Sequence, residues 1–181
     1  MGPDGAGVLI ISGVSGAGKT TVASLVAAQL PRAALLHGDD IHNLVVSGRK
    51  HPNEEPADEA DRQLLLRDRN IAALSDNLVS AGFLTVVDDV FVYIERCRRF
   101  LSLLEARPLY MAVLAPCIEV AEERDQLRPE KTVFHLWSHL DAVMRREMKG
   151  LGCWIDSSRQ TPEETATEVL ARVWMEGLVA S

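Results

Sequence analysis

Cysteine is scarce and shows no pairing pattern. Cys97, Cys117 and Cys153 are an odd number, far apart, with no Cys-x-x-Cys. That excludes a disulfide framework, and His37, His42, His51, His135 and His139 show no zinc-finger spacing. Reduced thiols in a cytoplasmic protein are expected. No apolar run reaches the ~18 residues that a membrane span needs. The opening Met1-Gly2-Pro3-Asp4-Gly5 lacks a basic stretch followed by an apolar one, so no signal peptide is expected. Basic residues are outnumbered, 19 against 26 acids, for a net charge of -7. This balance argues against nucleic acid as a partner. There is no internal repeat, and no Asn-Lys-x-Asp guanine motif of the kind a switch GTPase carries. What remains is the mix of a globular domain, 47% hydrophobic and 25% charged over 181 residues. A chain of this length buries roughly 70% of its unfolded surface and needs no structural metal.

Short β-branched runs alternate with helical periodicity. Val8 to Ser12, Ala33 to Leu36, Phe83 to Val90, Leu109 to Leu114 and Cys153 to Asp156 read as buried strands. Helices are expected over Thr20 to Leu30, Asp58 to Ala81, Glu95 to Glu105, Ile118 to about Leu127 and Val133 to Met148. In the longest, Leu64, Leu65, Ile71, Leu74 and Leu78 form the expected core face, with Arg62, Arg67, Asp68, Asn70 and Asp76 opposite. A last helix opens at Thr161-Pro162-Glu163-Glu164, which has a Thr cap, Pro at the first helical position and Glu three residues after the cap. Strands alternating with helices imply an α/β fold, a parallel sheet covered on both faces.

Gly13-Val14-Ser15-Gly16-Ala17-Gly18-Lys19-Thr20 satisfies every fixed position of G-x-x-x-x-G-K-[ST], between a strand and a helix. Glycines let backbone N–H groups turn onto phosphate oxygens, and the following helix N-terminus adds a favourable dipole. Lys19 has the reach for the β- and γ-phosphates, and the Thr20 hydroxyl is a Mg²⁺ ligand. Gly13, Ser15, Gly16, Ala17, Gly18, Lys19, Thr20 and Thr21 are the expected nucleotide contacts, with ATP and Mg²⁺ as cofactors. The loop alone also suits a nucleotide-binding module or slow ATPase without an acceptor.

The chain resembles the P-loop small-molecule kinases of the nucleoside-monophosphate-kinase superfamily. It is most similar to the chloramphenicol phosphotransferase-like and tunicamycin-resistance proteins. The resemblance is carried by Gly13 to Thr20, His37-Gly38-Asp39-Asp40-Ile41-His42, Val86-Val87-Asp88-Asp89-Val90, Arg124 to Pro129 and Trp154-Ile155-Asp156-Ser157-Ser158. It implies a single domain over residues 1–181, with a five-stranded parallel sheet ordered 2-3-1-4-5. An insertion at about 42–81 would cover the acceptor, and a lid would occupy about 124–133. It also implies transfer of the γ-phosphoryl group of ATP to a hydroxyl of a small molecule, an antibiotic being one acceptor type.

The resemblance suggests site residues as well. An Asp after the second strand orients and deprotonates the acceptor hydroxyl; alignment favours Asp39, with Asp40 the competitor one residue away. Asp88 resembles the acid that holds Mg²⁺ through water, and Asp89 faces either metal or acceptor. Arg124 and Arg128 flank the lid; one would stack on adenine and one neutralise the transferring phosphoryl group. The loop at 156–158 borders the adenine, mainly through backbone. In the insertion, Arg49, Lys50, Arg62, Arg67 and Arg69 are candidates to bind an acidic acceptor if two of them converge, and Arg67 is counted with Asp39, Asp40 and Asp89 as substrate-facing. Trp137 is expected to pack in the core. His135 and His139, four apart, lack a third metal ligand.

Overall fold

The structure is a computed structural model that describes residues 5–52, 54–127 and 139–181. Its centre is β1 (Gly7–Gly13), every residue of which is buried. Continuous apolar sequence of this kind suits a strand flanked by neighbours and covered on both faces. β3 (Leu84–Asp88) and β4 (Leu109–Leu114) pair with it in parallel on either side, and β2 (Ala33–His37) and β5 (Cys153–Ile155) extend the sheet. The order is β2-β3-β1-β4-β5, as the resemblance implied, and all five runs are parallel.

Helices follow the strands: α1 (Lys19–Gln29), α2 (Gly38–Asn43), α3 (Ala57–Ser80), α4 (Ile94–Leu103), α5 (Ile118–Gln126), α6 (Leu140–Glu147) and α7 (Pro162–Glu176). They flank the sheet, α1 packing on α7 and α3 on α4. The final helix starts as its sequence predicts. Thr161 accepts from the Glu164 N–H while the Glu164 carboxylate accepts from the Thr161 N–H.

Two features depart from the sequence expectation. A sixth strand, β6 (Leu178–Ala180), pairs antiparallel with the start of β4, on the edge that β5 occupies further along. Three residues are too few to display a period, so only the return of the chain to β4 reveals it. The second departure concerns α3. Its buried stripe is Ala60, Gln63, Arg67, Asp68, Ile71, Ala72 and Ser75, while Leu66 and Leu74 stand exposed. Of the expected face, Ile71 is buried, Leu64, Leu65 and Leu78 are half-buried and Leu74 is exposed, so the buried stripe is shifted from the one expected. Arg67 and Asp68, placed on the solvent side by pattern, lie inside because charged partners await them there.

Among the described residues between α2 and α3 there is neither helix nor strand. The segment is pinned by Gln63, whose amide donates to the Gly48 carbonyl at 2.8 Å and accepts from the Lys50 N–H at 2.8 Å. None of the helices described is long and apolar enough to cross a membrane.

The three cysteines are free, with Cys97 and Cys153 buried and Cys117 exposed. Burial pushes the Cys97 thiol up to about 12 and the Cys153 thiol up to about 11. A thiol reacts as its thiolate. Iodoacetamide at pH 8 is therefore expected to label Cys117 in the folded protein and the other two only after denaturation. Equal labelling of all three under native conditions, read by peptide mass spectrometry, would contradict this packing.

Candidate active site

The site grows from the carboxyl ends of β1, β2 and β3, where a parallel sheet opens a crevice. After β1 the chain runs through the phosphate-binding loop into α1. Gly16 has φ +75, and a Cβ there would lie 1.9 Å from the Ala121 carbonyl oxygen. Only glycine fits, both for the left-handed backbone and for the close seat on α5. Ser15 Oγ donates to Asp125 Oδ1 at 2.9 Å, a second tie between the loop and α5. Lys19 Nζ donates to the Val14 carbonyl at 3.0 Å, which folds the ammonium back over the loop. Thr20 and Thr21 are exposed in the first turn of α1. A glycine-rich loop, a lysine and a helix N-terminus thus meet at one point, an arrangement whose chemistry suits phosphate oxygens. The residues present fit a nucleoside triphosphate.

β3 ends at Asp88, whose register partners are Ile11 on β1 and His37 on β2. His37 Nδ1 donates to Asp88 Oδ2 at 3.0 Å, which orients the buried carboxylate. That bond uses one oxygen of the carboxylate. Among the described residues no group of three or more His, Cys, Asp or Glu could cage a metal. Mg²⁺ seldom needs one, since it binds through one or two protein oxygens plus phosphates. Thr20 and Asp88 suit that mode.

Asp89 takes a different role. Its Oδ1 accepts from Arg67 Nη2 at 3.0 Å and from the Val90 N–H at 2.7 Å, and its Oδ2 from Arg96 Nη2 at 2.9 Å. Arg96 also donates to Asp68 Oδ1 at 2.7 Å and to the Val90 carbonyl, and stacks over the Phe91 ring at 4.6 Å. Burial opposes the Arg96 charge, but the Asp89 and Asp68 carboxylates more than reverse this, and its pKa is raised. The result is an alternating chain, Asp68–Arg96–Asp89–Arg67, joining α3, α4 and the end of β3. Gly38 belongs to the same construction, because a Cβ there would meet the Asp89 carboxyl carbon at 2.8 Å.

Asp39 and Asp40 follow β2 directly, in the first turn of α2. Both are exposed. The Asp39 side chain is 95% exposed, and its Oδ1 lies 3.9 Å from Arg67 Nη1. Arg67 thus reaches from Asp89 to Asp39, whereas Asp40 has no such tie. One turn on, His42 is buried, with Nε2 lacking a hydrogen-bond partner among the described residues. Burial, then the charges of Arg67, His51 and Arg49, hold its pKa below the usual histidine value, and Asp39 opposes them.

Arg124 projects from α5 to the loop after β5. Its Nη2 donates to the carbonyls of Ser157 at 2.8 Å and Gln160 at 3.3 Å, and its Nη1 to Ser157 Oγ at 3.3 Å. Arg128, Pro129, Lys131, His135 and Trp137, with much of the lid expected at 124–133, lie outside the described residues. Of the remaining insertion cations, Arg69 is exposed, and Arg49 lies near enough to act with Arg67 on His42. Arg49 donates to Asn43 Oδ1 and Arg62 pairs with Asp58 and Glu59 at the surface, leaving Arg67 as the inward member. Sequence reading missed Asp68, Arg96, Asp125 and the His37–Asp88 bond. The last was open to it, because the runs 33–36 and 83–90 were expected to be neighbours, with His37 one residue beyond the first and Asp88 near the end of the second. Asp68 and Arg96 carried no signal, since a charged residue in a helix normally faces water.

A model of the AAA domain family matches residues 8–149 of the chain. No curated protein sequence matches it. Among solved structures, the chain is similar to a sugar kinase from Janibacter sp., with 23% identity, 97% of this chain and 99% of that one covered, and a TM-score of 0.69. It is similar to the Deinococcus radiodurans tunicamycin resistance protein, with 16% identity, coverage of 92% and 95%, and a TM-score of 0.65. A shikimate kinase from Acinetobacter baumannii, solved with shikimate, has 21% identity, 91% coverage of each chain and a TM-score of 0.57. At these identities the likeness is one of fold.

Two outcomes follow from the charged chain. Arg96→Leu leaves Asp68 and Asp89 buried without their shared partner, so unfolding stability should fall by about 3–5 kcal/mol. A denaturant melt showing less than ~1 kcal/mol would mean the chain is not structural. His42 titrates lower in the folded protein than unfolded. Its contribution is therefore complete above the unfolded value of about 6.5 and is lost as pH falls toward the lowered folded value. His42→Asn should show a smaller drop in melting temperature between pH 7 and pH 5 than the wild type.

Proposed function

The chain belongs to the AAA domain family and has the fold of P-loop kinases, and from that premise we propose that it is an ATP- and Mg²⁺-dependent phosphotransferase. It moves the γ-phosphoryl group to a hydroxyl of a small molecule, and hydroxylated antibiotics are among the acceptors to be considered. The observation that carries this reading is a convergence at one sheet end. Lys19 and its loop follow β1, the buried Asp88 ends β3 and the exposed Asp39 on α2 follows β2, and these three strands are adjacent.

ATP supplies an activated phosphoryl group, and Mg²⁺ offsets charge on its oxygens. The chain's own residues have the following roles. Backbone N–H groups of residues 13–20 hold the phosphates, and Lys19 places its ammonium against the β- and γ-oxygens. Thr20 and Asp88 offer the metal oxygens, with His37 keeping Asp88 in place. Asp39 accepts a hydrogen bond from the acceptor hydroxyl, aligns it with the phosphorus and takes the proton late in transfer. The link through Arg67 supports Asp39 over Asp40 for this role. Arg124, fixed on the 157–160 loop, supports an adenine-side role, which leaves the phosphoryl-facing role to Arg128.

An ATP-consumption screen over sugars, nucleosides, shikimate-like acids and hydroxylated antibiotics tests the class. Turnover stimulated by an acceptor is expected; ATP binding without any stimulation would point to a nucleotide-binding module or slow ATPase. Lys19→Ala should abolish transfer. Asp39→Asn should lower kcat by roughly 10²-fold with ATP affinity little changed. Should Asp40→Asn produce that loss and Asp39→Asn not, the base lies one residue further on.

A further inference from the structure

Residues 48–51, between α2 and α3, are fastened to those helices by a few contacts. Gln63 of α3 bonds the Gly48 carbonyl and the Lys50 N–H, each at 2.8 Å. Arg49 Nη1 donates to Oδ1 of Asn43, the last residue of α2, at 2.6 Å. The His51 ring packs on the His42 ring, with centroids 5.2 Å apart and planes tilted by 50°. His42 is buried in this contact, whereas His51, Arg49 and Gly48 are exposed. Exposed backbone held by so few bonds belongs to the part of a fold that opens locally, at a fraction of the cost of global unfolding.

The ring contact depends on an uncharged His42. The charged and titratable groups that act on it are Arg67 from α3, His51 and Arg49 from the segment, and Asp39 from its own helix. Burial, then Arg67, His51 and Arg49, oppose a proton there, and only Asp39 favours one. The Asp39 side chain is 95% exposed, so water and salt screen that attraction. An imidazolium also carries an N–H on both nitrogens. His42 Nε2 is buried and has no hydrogen-bond partner among the described residues, so its proton would lack an acceptor. Glu59, which bonds Gln63, is held below the usual carboxylate value by that bond and stays ionised near neutrality.

We propose that His42 and His51 form a proton-sensitive clasp: a neutral His42 holds residues 48–51 against the helix that carries Asp39, and a proton on His42 releases them. In the open form the ring reaches water, which solvates the imidazolium away from Arg67 and Arg49. The open form therefore binds the proton more tightly than the closed one. Opening grows as pH falls below about 6.5 and levels off below the lowered value of the closed form. The clasp does not depend on phosphotransfer. It makes the surroundings of Asp39 firm at neutral pH and loose in acid.

Amide hydrogen exchange of the full chain tests this. The Lys50 N–H is the reporter, because its bond to Gln63 joins the segment to α3. Rates are normalised to the unstructured rate at each pH. Lys50 should exchange far faster than Ile10 of the central strand, which marks its opening as local. Between pH 7.5 and pH 5.5 its opening should grow by up to ~10-fold. In His42→Asn that growth should vanish. His51→Ala alters an exposed residue and keeps the buried ring, so Lys50 should already exchange about 2- to 10-fold faster at pH 7.5. The wild-type His42 ring, followed by NMR, should titrate with a midpoint below 6.5. The inference is overturned by equal growth in wild type and His42→Asn, by none in the wild type, or by exchange of Lys50 only at the rate of Ile10. An unaltered Lys50 in His51→Ala, or a His42 midpoint at 6.5 or above, overturns it as well.

Discussion

The buried chain Asp68–Arg96–Asp89–Arg67 is the constraint around which the acceptor side is organised. Two guanidiniums and two carboxylates alternate, with N–O separations of 2.7 to 3.0 Å. Such a network adds little net stability over a packed apolar core, but each member depends on the others once buried. It gives position instead. It fixes the rotation of α3, clamps α4 against the end of β3 and holds Arg67 where one edge of its guanidinium approaches Asp39. Removing the Cβ at residue 38 lets α2 begin directly against Asp89, so the aspartate assigned to the acceptor hydroxyl is placed by backbone as well as by charge.

The nucleotide side is arranged by a single helix. α5 receives the phosphate loop through the Ala121 carbonyl beneath Gly16 and through Asp125 on Ser15, and one residue earlier Arg124 grips the 157–160 loop. These ties lie close together on α5, so the phosphate loop and the 157–160 loop share a rigid reference. The loop does not have to order itself on binding, which reduces the entropy that recognition costs. The two sides also differ in charge: Lys19 and the α1 N-terminus favour anions, while Asp39 is an exposed acid near a guanidinium already paired with Asp89.

The sequence alone determined the five parallel strands and the phosphate loop. Both are written in local pattern: a continuous apolar run has nowhere to go but a covered strand, and glycines at fixed spacing permit one kind of turn. Strand limits at Leu109 and Leu114 match the expected run residue for residue. The capping box at Thr161 and Glu164 was equally legible, because its hydrogen bonds join residues three apart. Tertiary structure decided the rest. Whether Arg67 and Asp68 face water or the interior depends on Asp89 and Arg96, which lie 22 and 28 residues away in the chain. β6 exists because the chain after α7 returns to an unused stretch of β4. The apolar pattern of α3 placed Ile71 in the core correctly but could not show that the stripe beside it carries Arg67 and Asp68, since a charge taken from water must follow its partner, whereas an exposed Leu74 costs comparatively little.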